Sequence, residues 1–166
     1  MADSLSMLTT NTKIHDLLDQ TGLFEDNQLA VILADARENN RSICEAVLSG
    51  TTLKEDIFLE KLAEAMRLPF QRLKETELDS EILEKIPTKA IFQYNVVPLE
   101  EEENSLLVAT SNPFTPGLVD ALRLAAECRI KLVLSPDEDI SAAAKKFYGV
   151  GAETLDRMMQ DDRIDL

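Results

Sequence analysis

The side chains that could carry out chemistry are few, and histidine is the scarcest of them. His15 is the single histidine among the 166 residues. Unless His15 acts alone, the sequence offers no histidine-based zinc site, no Ser-His-Asp triad and no Cys-His dyad. Because His15 flanks an apolar face formed by Ile14 and Leu18, a partly packed surface position is the plainer interpretation.

A Walker-type phosphate loop is also missing from the sequence. Such a loop curls backbone amides around a phosphate and is followed by a lysine and a hydroxyl side chain. None of the five glycines stands in this pattern; they are Gly22, Gly50, Gly117, Gly149 and Gly151. We therefore expect that the chain alone is not an enzyme and that it holds neither a metal nor a cofactor.

Acidic residues are abundant, but their setting predicts solvation. The chain has 31 Asp and Glu against 17 Lys and Arg, a formal net charge of −14. The run from Glu101 to Glu103 falls in a polar loop, whereas paired carboxylates catalyse reactions only where burial separates their pKa values. A hydrolase built on acids alone is thus the least favoured class. The charge also argues against nucleic acid and anionic lipid as partners; it favours a basic protein or simply maintains solubility.

The two cysteines and the apolar runs indicate a cytoplasmic chain. Cys44 and Cys128 are far apart and show no ligand-like spacing, as expected for reduced, inert thiols. No apolar run approaches the roughly 18 residues that a membrane helix needs. The first residues also lack the basic and then apolar pattern of a signal peptide.

The first half of the chain carries apolar residues at helical spacing, which predicts four helices. Gly22 and Gly50 are expected to stop the first and third helices. Ser42 begins the third helix, and Thr52 with Glu55 predicts a capping box that opens the fourth.

This half also repeats a pattern of residue types. Counterparts are separated by 28 residues and are Lys13 and Arg41, Gly22 and Gly50, and Leu29 and Ile57. The period predicts two helix-turn-helix units that bury a common core. Since the period is seen only twice, chance is the alternative.

Short β-type runs mark the second half. Residues 96–99 and 105–109 predict a hairpin whose acidic tip is 100–104, and residues 130–134 predict a third strand. Helices are expected around them. The first starts at Asp79 or Ser80, runs through Ile86 and ends at Pro87, and a further turn covers 88–93. Another is capped by Thr115, has Pro116 in its first position and continues through Leu118, Leu122, Leu124 and Ala125, and the last is capped by the Ser135 hydroxyl and ends at Gly149.

Together these elements predict an α+β chain, with a helical subdomain of two helix-turn-helix units before a small three-stranded α/β subdomain. The expected boundaries are a disordered N-terminus over 1–11, the helical subdomain over 12–70, a connector over 71–78, the α/β subdomain over 79–149 and a linker over 150–166.

The order of several short motifs resembles the N-terminal domain of type II secretion ATPases and of type IV pilus assembly ATPases. The motifs span about residues 13–156 and are the end of the helical half at Leu68-Pro69-Phe70, then Ile86-Pro87, Val97-Pro98-Leu99, Leu107 to Pro113, and Phe147 to Ala152. The resemblance implies a fold and a place in a larger machine, but the motifs do not distinguish secretion from pilus systems.

For this chain the resemblance implies docking rather than catalysis. A separate C-terminal ATPase domain would hydrolyse ATP in a hexamer, and residues 150–166 would lead towards it. The present part would bind the cytoplasmic domain of an inner-membrane platform protein, at the cytoplasmic face of that membrane. Neither nucleic acid nor direct membrane insertion is expected.

Some members of this family bind cyclic di-GMP through a duplicated motif of arginine, leucine, glycines, further leucines and glutamine. The matching positions here are Lys13, Leu18, Gly22 and Leu29 in the first copy and Arg41, Gly50 and Ile57 in the second. Lysine lacks the planar fork of arginine. His15 and Ile43 replace a glycine, and Ala36 and Ala65 replace the glutamines. The alternative role as a cyclic di-GMP receptor is therefore expected to be weak or lost.

Overall fold

A computed structural model describes residues 13–74 and 76–149 of the chain. These residues fall into two compact units. The helical unit comprises the residues up to Phe70 together with Phe114–Pro116, and the sheet unit comprises Gln71–Pro113 and the residues from Gly117 onwards. The expectations of a disordered N-terminus over 1–11 and of a linker over 150–166 lie outside the described residues.

The helical unit contains the four helices that the sequence predicts. They are α1 over residues 13–20, α2 (Asp26–Glu38), α3 (Ile43–Gly50) and α4 (Glu55–Met66). Their fully buried side chains include Leu18, Leu29, Phe58, Leu59 and Leu62. The rings of Phe24 and Phe58 meet edge to face, with centroids 6.2 Å apart. Burial of these apolar side chains stabilises the helices far more than their intrinsic propensity does.

The ends of these helices follow the sequence only in part. Ser42 caps α3 as predicted, since its hydroxyl accepts a hydrogen bond from the Glu45 amide at 3.1 Å. The capping box of Thr52 and Glu55 is wrong, because α4 begins at Glu55, which places Thr52 too early. Instead, the hydroxyl of Thr51 donates to the Val47 carbonyl at 2.7 Å and holds this turn against the end of α3.

The sheet unit alternates short helices and strands in the predicted order. Its elements are α5 (Ser80–Leu83), α6 (Thr88–Tyr94), β1 (Val96–Glu102), β2 (Ser105–Thr110), α7 (Leu118–Ala126), β3 (Arg129–Leu134) and α8 over residues 137–149. In the sheet, β1 pairs antiparallel with β2, and β2 pairs parallel with β3 through the α7 crossover. The α+β prediction is therefore confirmed.

Strand β1 differs from the prediction in length and register. Glu100, Glu101 and Glu102 continue the strand, so the turn of the hairpin consists only of Glu103 and Asn104. The register shifts between Pro98 and Glu100, which leaves Leu99 as the extra residue of a β-bulge. The predicted acidic tip is thus mostly strand.

Three helix boundaries in the sheet unit were also predicted wrongly. Helix α5 ends at Leu83, and the buried Ile86 lies beyond it. Helix α7 is capped not by Thr115 but by Gly117, whose φ of +70° favours glycine. Helix α8 begins at Asp137, so Pro136 precedes the helix, and its carbonyl accepts the first helical hydrogen bond from the Ile140 amide at 3.1 Å.

Leu124 lies within α7, as predicted, but its side chain is exposed. Its accessible fraction is 79%, whereas Leu118 and Leu122 are buried. Because α7 begins only at Leu118, its buried stripe follows the i, i+4 spacing from that residue, and Leu124 falls on the other side.

Candidate functional site

The residues that match the first copy of the cyclic di-GMP motif lie on α1, the following turn and α2. Lys13 is exposed at the start of the described chain, whereas Leu18 and Leu29 are fully buried. Gly22 has a φ of +71°, and a Cβ built there would meet no atom within 4 Å. This glycine therefore serves a left-handed turn and not a close approach between helices.

The second copy does not reproduce this geometry. Arg41 is exposed before α3, and its Nη1 donates to the Ser49 hydroxyl at 3.2 Å. Helix α3 ends at Gly50 as predicted, but Gly50 lacks a positive φ and so, unlike Gly22, does not form a left-handed turn. Ile57 is 46% exposed on α4, whereas its predicted counterpart Leu29 is fully buried.

The buried side chains explain this mismatch. They recur at 30 residues rather than 28, in the pairs Ile14 and Cys44, Leu29 and Leu59, and Ile32 and Leu62. The two helix-turn-helix units are confirmed, but their packing register is two residues longer than the predicted period. As a result, Lys13 lies within α1, whereas Arg41 lies before α3.

The sheet unit contains a polar cluster that the sequence analysis missed. Asp139 of α8 is 1% exposed and accepts hydrogen bonds from Arg72 Nε at 2.8 Å and Arg72 Nη2 at 3.2 Å. It also accepts from the Leu73 amide at 3.0 Å. The Arg72 side chain and this amide hold the pKa of Asp139 below its usual range, although burial opposes the shift.

These groups attach the segment after Phe70 to the sheet unit. The Gln71 amide donates to the Leu134 carbonyl at 3.0 Å, and Leu73 is buried. No pattern in the sequence predicts this attachment, because Arg72 and Asp139 are 67 residues apart and the segment has no periodicity.

A second cluster lies where β2 and β3 end. Asn95 and Ser111 both donate hydrogen bonds to the Asp137 carboxylate at the start of α8. Ser135 is fully buried, and its Oγ has no hydrogen-bond partner in the described part of the chain. The expected cap by this hydroxyl is therefore wrong. The carboxylate already occupies the first turn of α8, which leaves this edge unsuited to an anionic ligand.

At the opposite end of the sheet, an ion pair separates two open clefts. Lys85 Nζ lies 2.7 Å from Glu101 Oε1, and this pairing raises the pKa of Lys85. A cleft of about 400 Å³ on one side is lined by Glu101, Glu103, Asn104, Ser105, Glu127, Cys128 and Arg129. The other, of about 410 Å³, is lined by Glu81, Ile82, Glu84, Lys85 and Glu101. Both are open and rich in carboxylates.

The remaining reactive groups are placed for structure. Burial raises the pKa of Cys44 to about 12, so its thiol stays protonated at neutral pH. Burial likewise raises the pKa of Tyr148, whose hydroxyl donates to the Leu83 carbonyl at 2.8 Å. His15 is partly exposed beside Asp16. Within residues 13–74 and 76–149, no group of three or more His, Cys, Asp or Glu could hold a metal.

Helix lengths in the described chain add one further observation. None of these helices combines the length and apolar character needed to cross a membrane.

Comparison with curated proteins relates the chain to an ATPase much longer than itself. It is 22% identical over 149 residues to the type IV pilus assembly ATPase PilB of Myxococcus xanthus. The matched region covers 90% of this chain and 26% of PilB, so the chain spans about a quarter of that relative.

Solved structures and a protein family agree with this relationship. The fold is similar to MshE solved with cdg, with a TM-score of 0.70, 21% identity, and 81% of this chain and 97% of that chain covered. The N-terminal domain of XpsE is similar with a TM-score of 0.61 and 19% identity, over 82% of this chain and 94% of that one. The MshEN domain family matches residues 66–154. The resemblance to N-terminal domains of secretion and pilus ATPases is confirmed, and the chain belongs to the MshEN domain family.

Proposed function

We propose that this chain is a non-catalytic docking and regulatory domain of an ATPase that drives type II secretion or type IV pilus assembly. The observation that carries the proposal is the share of each protein that the alignment with PilB covers. The likeness includes 90% of this chain but 26% of the ATPase, as for a domain that accompanies a motor. The fold it shares with the N-terminal domain of XpsE supports the same role.

The proposed partners are two. One is the cytoplasmic domain of an inner-membrane platform protein, which would recruit the chain to the cytoplasmic face of the membrane. The other is a C-terminal ATPase domain of its own protein. The net charge of −14 suits a basic platform surface, because complementary charge speeds encounter and excludes wrong partners.

Calorimetric titration of the whole chain against the purified cytoplasmic domain of a platform protein tests the docking role. We expect saturable binding of one chain per platform domain. As the control, an unrelated protein with the same net charge as this chain is titrated against the same platform domain. If the platform domain were attracted to any acidic surface, it would bind the chain and the control protein alike. If several cognate platform domains all fail to bind, the proposed docking role is wrong.

The non-catalytic part of the proposal has its own test. The purified chain should release no phosphate from ATP above the rate of a buffer blank, because the described residues hold no metal-binding cluster and the sequence holds no Walker loop. Turnover that follows the chain through successive purification steps would contradict this expectation.

Binding of cyclic di-GMP is the second candidate function. It is favoured by the likeness in fold to MshE, which was solved with cdg. The motif residues oppose it: Leu18 and Leu29 are fully buried, and the second copy lies out of phase with the first. Arg41 is the exposed basic residue that matches the motif best.

Titration with cyclic di-GMP decides between the two candidates. We expect no micromolar binding to the native chain. Arg41→Ala is the informative variant, and Arg37→Ala, which removes an exposed arginine of α2, is its matched control. Micromolar binding that Arg41→Ala abolishes and Arg37→Ala preserves would establish the receptor function instead.

A further inference from the structure

One face of the sheet is open near the hairpin turn and carries two rows of side chains. Residues directly opposite each other on paired strands project to the same face. The register therefore defines the rows, which run from β1 across β2 to β3 and consist of Glu100, Leu107 and Lys131, and of Glu102, Ser105 and Arg129. All four charged members are exposed, Leu107 between Glu100 and Lys131 is half-buried, and Ser105 between Glu102 and Arg129 is buried.

Within the part of the chain that the structure describes, the charges of these rows are not neutralised by ion pairs. Each acid on β1 is separated from the base on β3 by strand β2, a distance of about 10 Å between backbones. Among the described residues, the ion pairs involve other side chains, and none involves Glu100, Glu102, Arg129 or Lys131. Glu101, which projects to the other face, is by contrast paired with Lys85.

The balance of charge on this face indicates what could cover it. The chain as a whole carries −14, yet the two rows carry two acids and two bases. A uniformly basic partner would be repelled by Lys131 and Arg129, and a uniformly acidic partner would be repelled by Glu100 and Glu102. A complementary partner must therefore present both signs, with the acidic and basic sides exchanged.

We propose that this face binds the same face of a second copy of the chain. A twofold axis parallel to β2, above the face, places each β1 acid over a β3 base of the other copy. It also places Leu107 over its own counterpart. Such a contact is isologous, since one surface is complementary to itself. It goes beyond the docking role proposed above and does not depend on it.

The open face is small, which sets the strength of the contact. Three strands and two rows offer far less than the roughly 800 Å² per partner of a stable interface. We therefore expect a dissociation constant on the order of 1 mM. A contact of this strength becomes populated where copies are held close together.

Sedimentation analysis of the whole chain, at concentrations up to about 1 mM, tests the proposal. Glu100→Lys alone would place like charges opposite each other twice in each dimer, and so would Lys131→Glu alone. We expect each variant to associate about tenfold more weakly than the native chain. An equimolar mixture of the two variants can form dimers with one copy of each. In such a dimer every facing pair is again opposite in sign, so association should return at least to the native level.

The control must carry the same change in net charge elsewhere. Glu60→Lys and Lys61→Glu replace exposed residues of α4 in the helical unit. Each changes the net charge of the chain by two, as the corresponding sheet variant does. Singly and mixed, they should leave the association within about twofold of the native chain. Circular dichroism verifies that every variant is folded.

Two results would overturn the proposal. The first is a native chain whose sedimentation does not depend on concentration over this range. The second is a mixture of Glu100→Lys and Lys131→Glu that associates no better than either variant alone. The second result would assign any self-association of the native chain to another surface.

Discussion

The two units of the molecule hold their polar groups together over very different sequence distances. In the helical unit, the hydrogen bonds described for Ser42 and Arg41 reach residues three and eight positions away. In the sheet unit, Tyr148 bonds a carbonyl 65 positions away and Asp139 an arginine 67 positions away. Polar side chains thus shape local ends in one unit and join distant segments in the other.

The two units are therefore expected to lose stability through different substitutions. Packing of apolar side chains stabilises the helical unit, so truncation of its core should cost most. The sheet unit encloses polar atoms whose partners come from other elements, so the loss of one partner leaves another buried group unsatisfied.

The first prediction concerns the core of the helical unit. Phe58→Ala removes a fully buried ring and should lower the free energy of unfolding by about 3–5 kcal/mol. Urea denaturation followed by circular dichroism measures this loss. The neighbouring variant Ile57→Ala is the control, because that side chain is 46% exposed and should cost well under half as much. Equal losses would contradict the register described for α4.

The second prediction concerns the buried carboxylate of the sheet unit. Asp139→Asn retains an acceptor for the Leu73 amide but loses the charged pair with Arg72. We expect a loss of about 1–3 kcal/mol at neutral pH, moderated because the Arg72 side chain is 42% exposed. Asp120→Asn, in an exposed ion pair, is the control.

The effect of Asp139→Asn should also depend on pH. The pKa of Asp139 is lowered in the folded state, so its contribution is fully present above the unfolded value of about 3.9. It is lost as the pH falls through the lower folded value. The difference in unfolding free energy between native and variant chains should therefore shrink below about pH 4. A difference that is constant with pH would show that ionisation of Asp139 is not its source.

The third prediction removes the hydroxyl that joins α8 to α5. Tyr148→Phe leaves the Leu83 carbonyl without this donor and should cost about 1–1.5 kcal/mol. Hydrogen exchange should accelerate in the sheet unit and remain unchanged in the helical unit. Tyr94→Phe provides the matched control. Faster exchange in the helical unit would contradict a stabilising effect of this bond that is confined to the sheet unit.

The fourth prediction returns to the helical unit and to a local bond. Ser42→Ala removes the α3 cap and should cost about 1 kcal/mol, whereas Ser42→Gly should cost only a few tenths. The two thermal unfolding midpoints measure the difference. If Ser42→Ala proved as stable as the native chain, the hydroxyl of Ser42 would not be stabilising α3 as described.

The features that the sequence could predict are those with local causes. Helical periodicity, the Ser42 cap and the turn at Gly22 depend on a few neighbouring residues, and the structure confirms them. The errors at Thr52 and Thr115 are also local, because they concern only where α4 and α7 begin, and the residues that precede these helices are Lys54 and Gly117 instead. Gly50 looks like Gly22 in sequence but stays helical.

The candidate site was harder to predict than the fold. Similar residue types recur after 28 residues, but buried positions recur after 30, as Leu29 and Leu59 show. Which residue of a helix faces the core depends on where that helix begins, and that boundary is what single sequences specify least well. Arg72 and Asp139 could not be paired at all, since only the folded sheet unit brings them together.

The attachment of Gln71 to the end of β3 has a mechanical consequence. Tension on the chain from the helical unit would reach the backbone bond to Leu134 and the Asp139 carboxylate before it reached the rest of the sheet unit. Because that carboxylate belongs to α8, the last helix described, the same tension would be passed on towards the C-terminal end of the chain. The hydrogen bonds of the Gln71 and Leu73 amides can thus transmit force along a path much shorter than the intervening sequence.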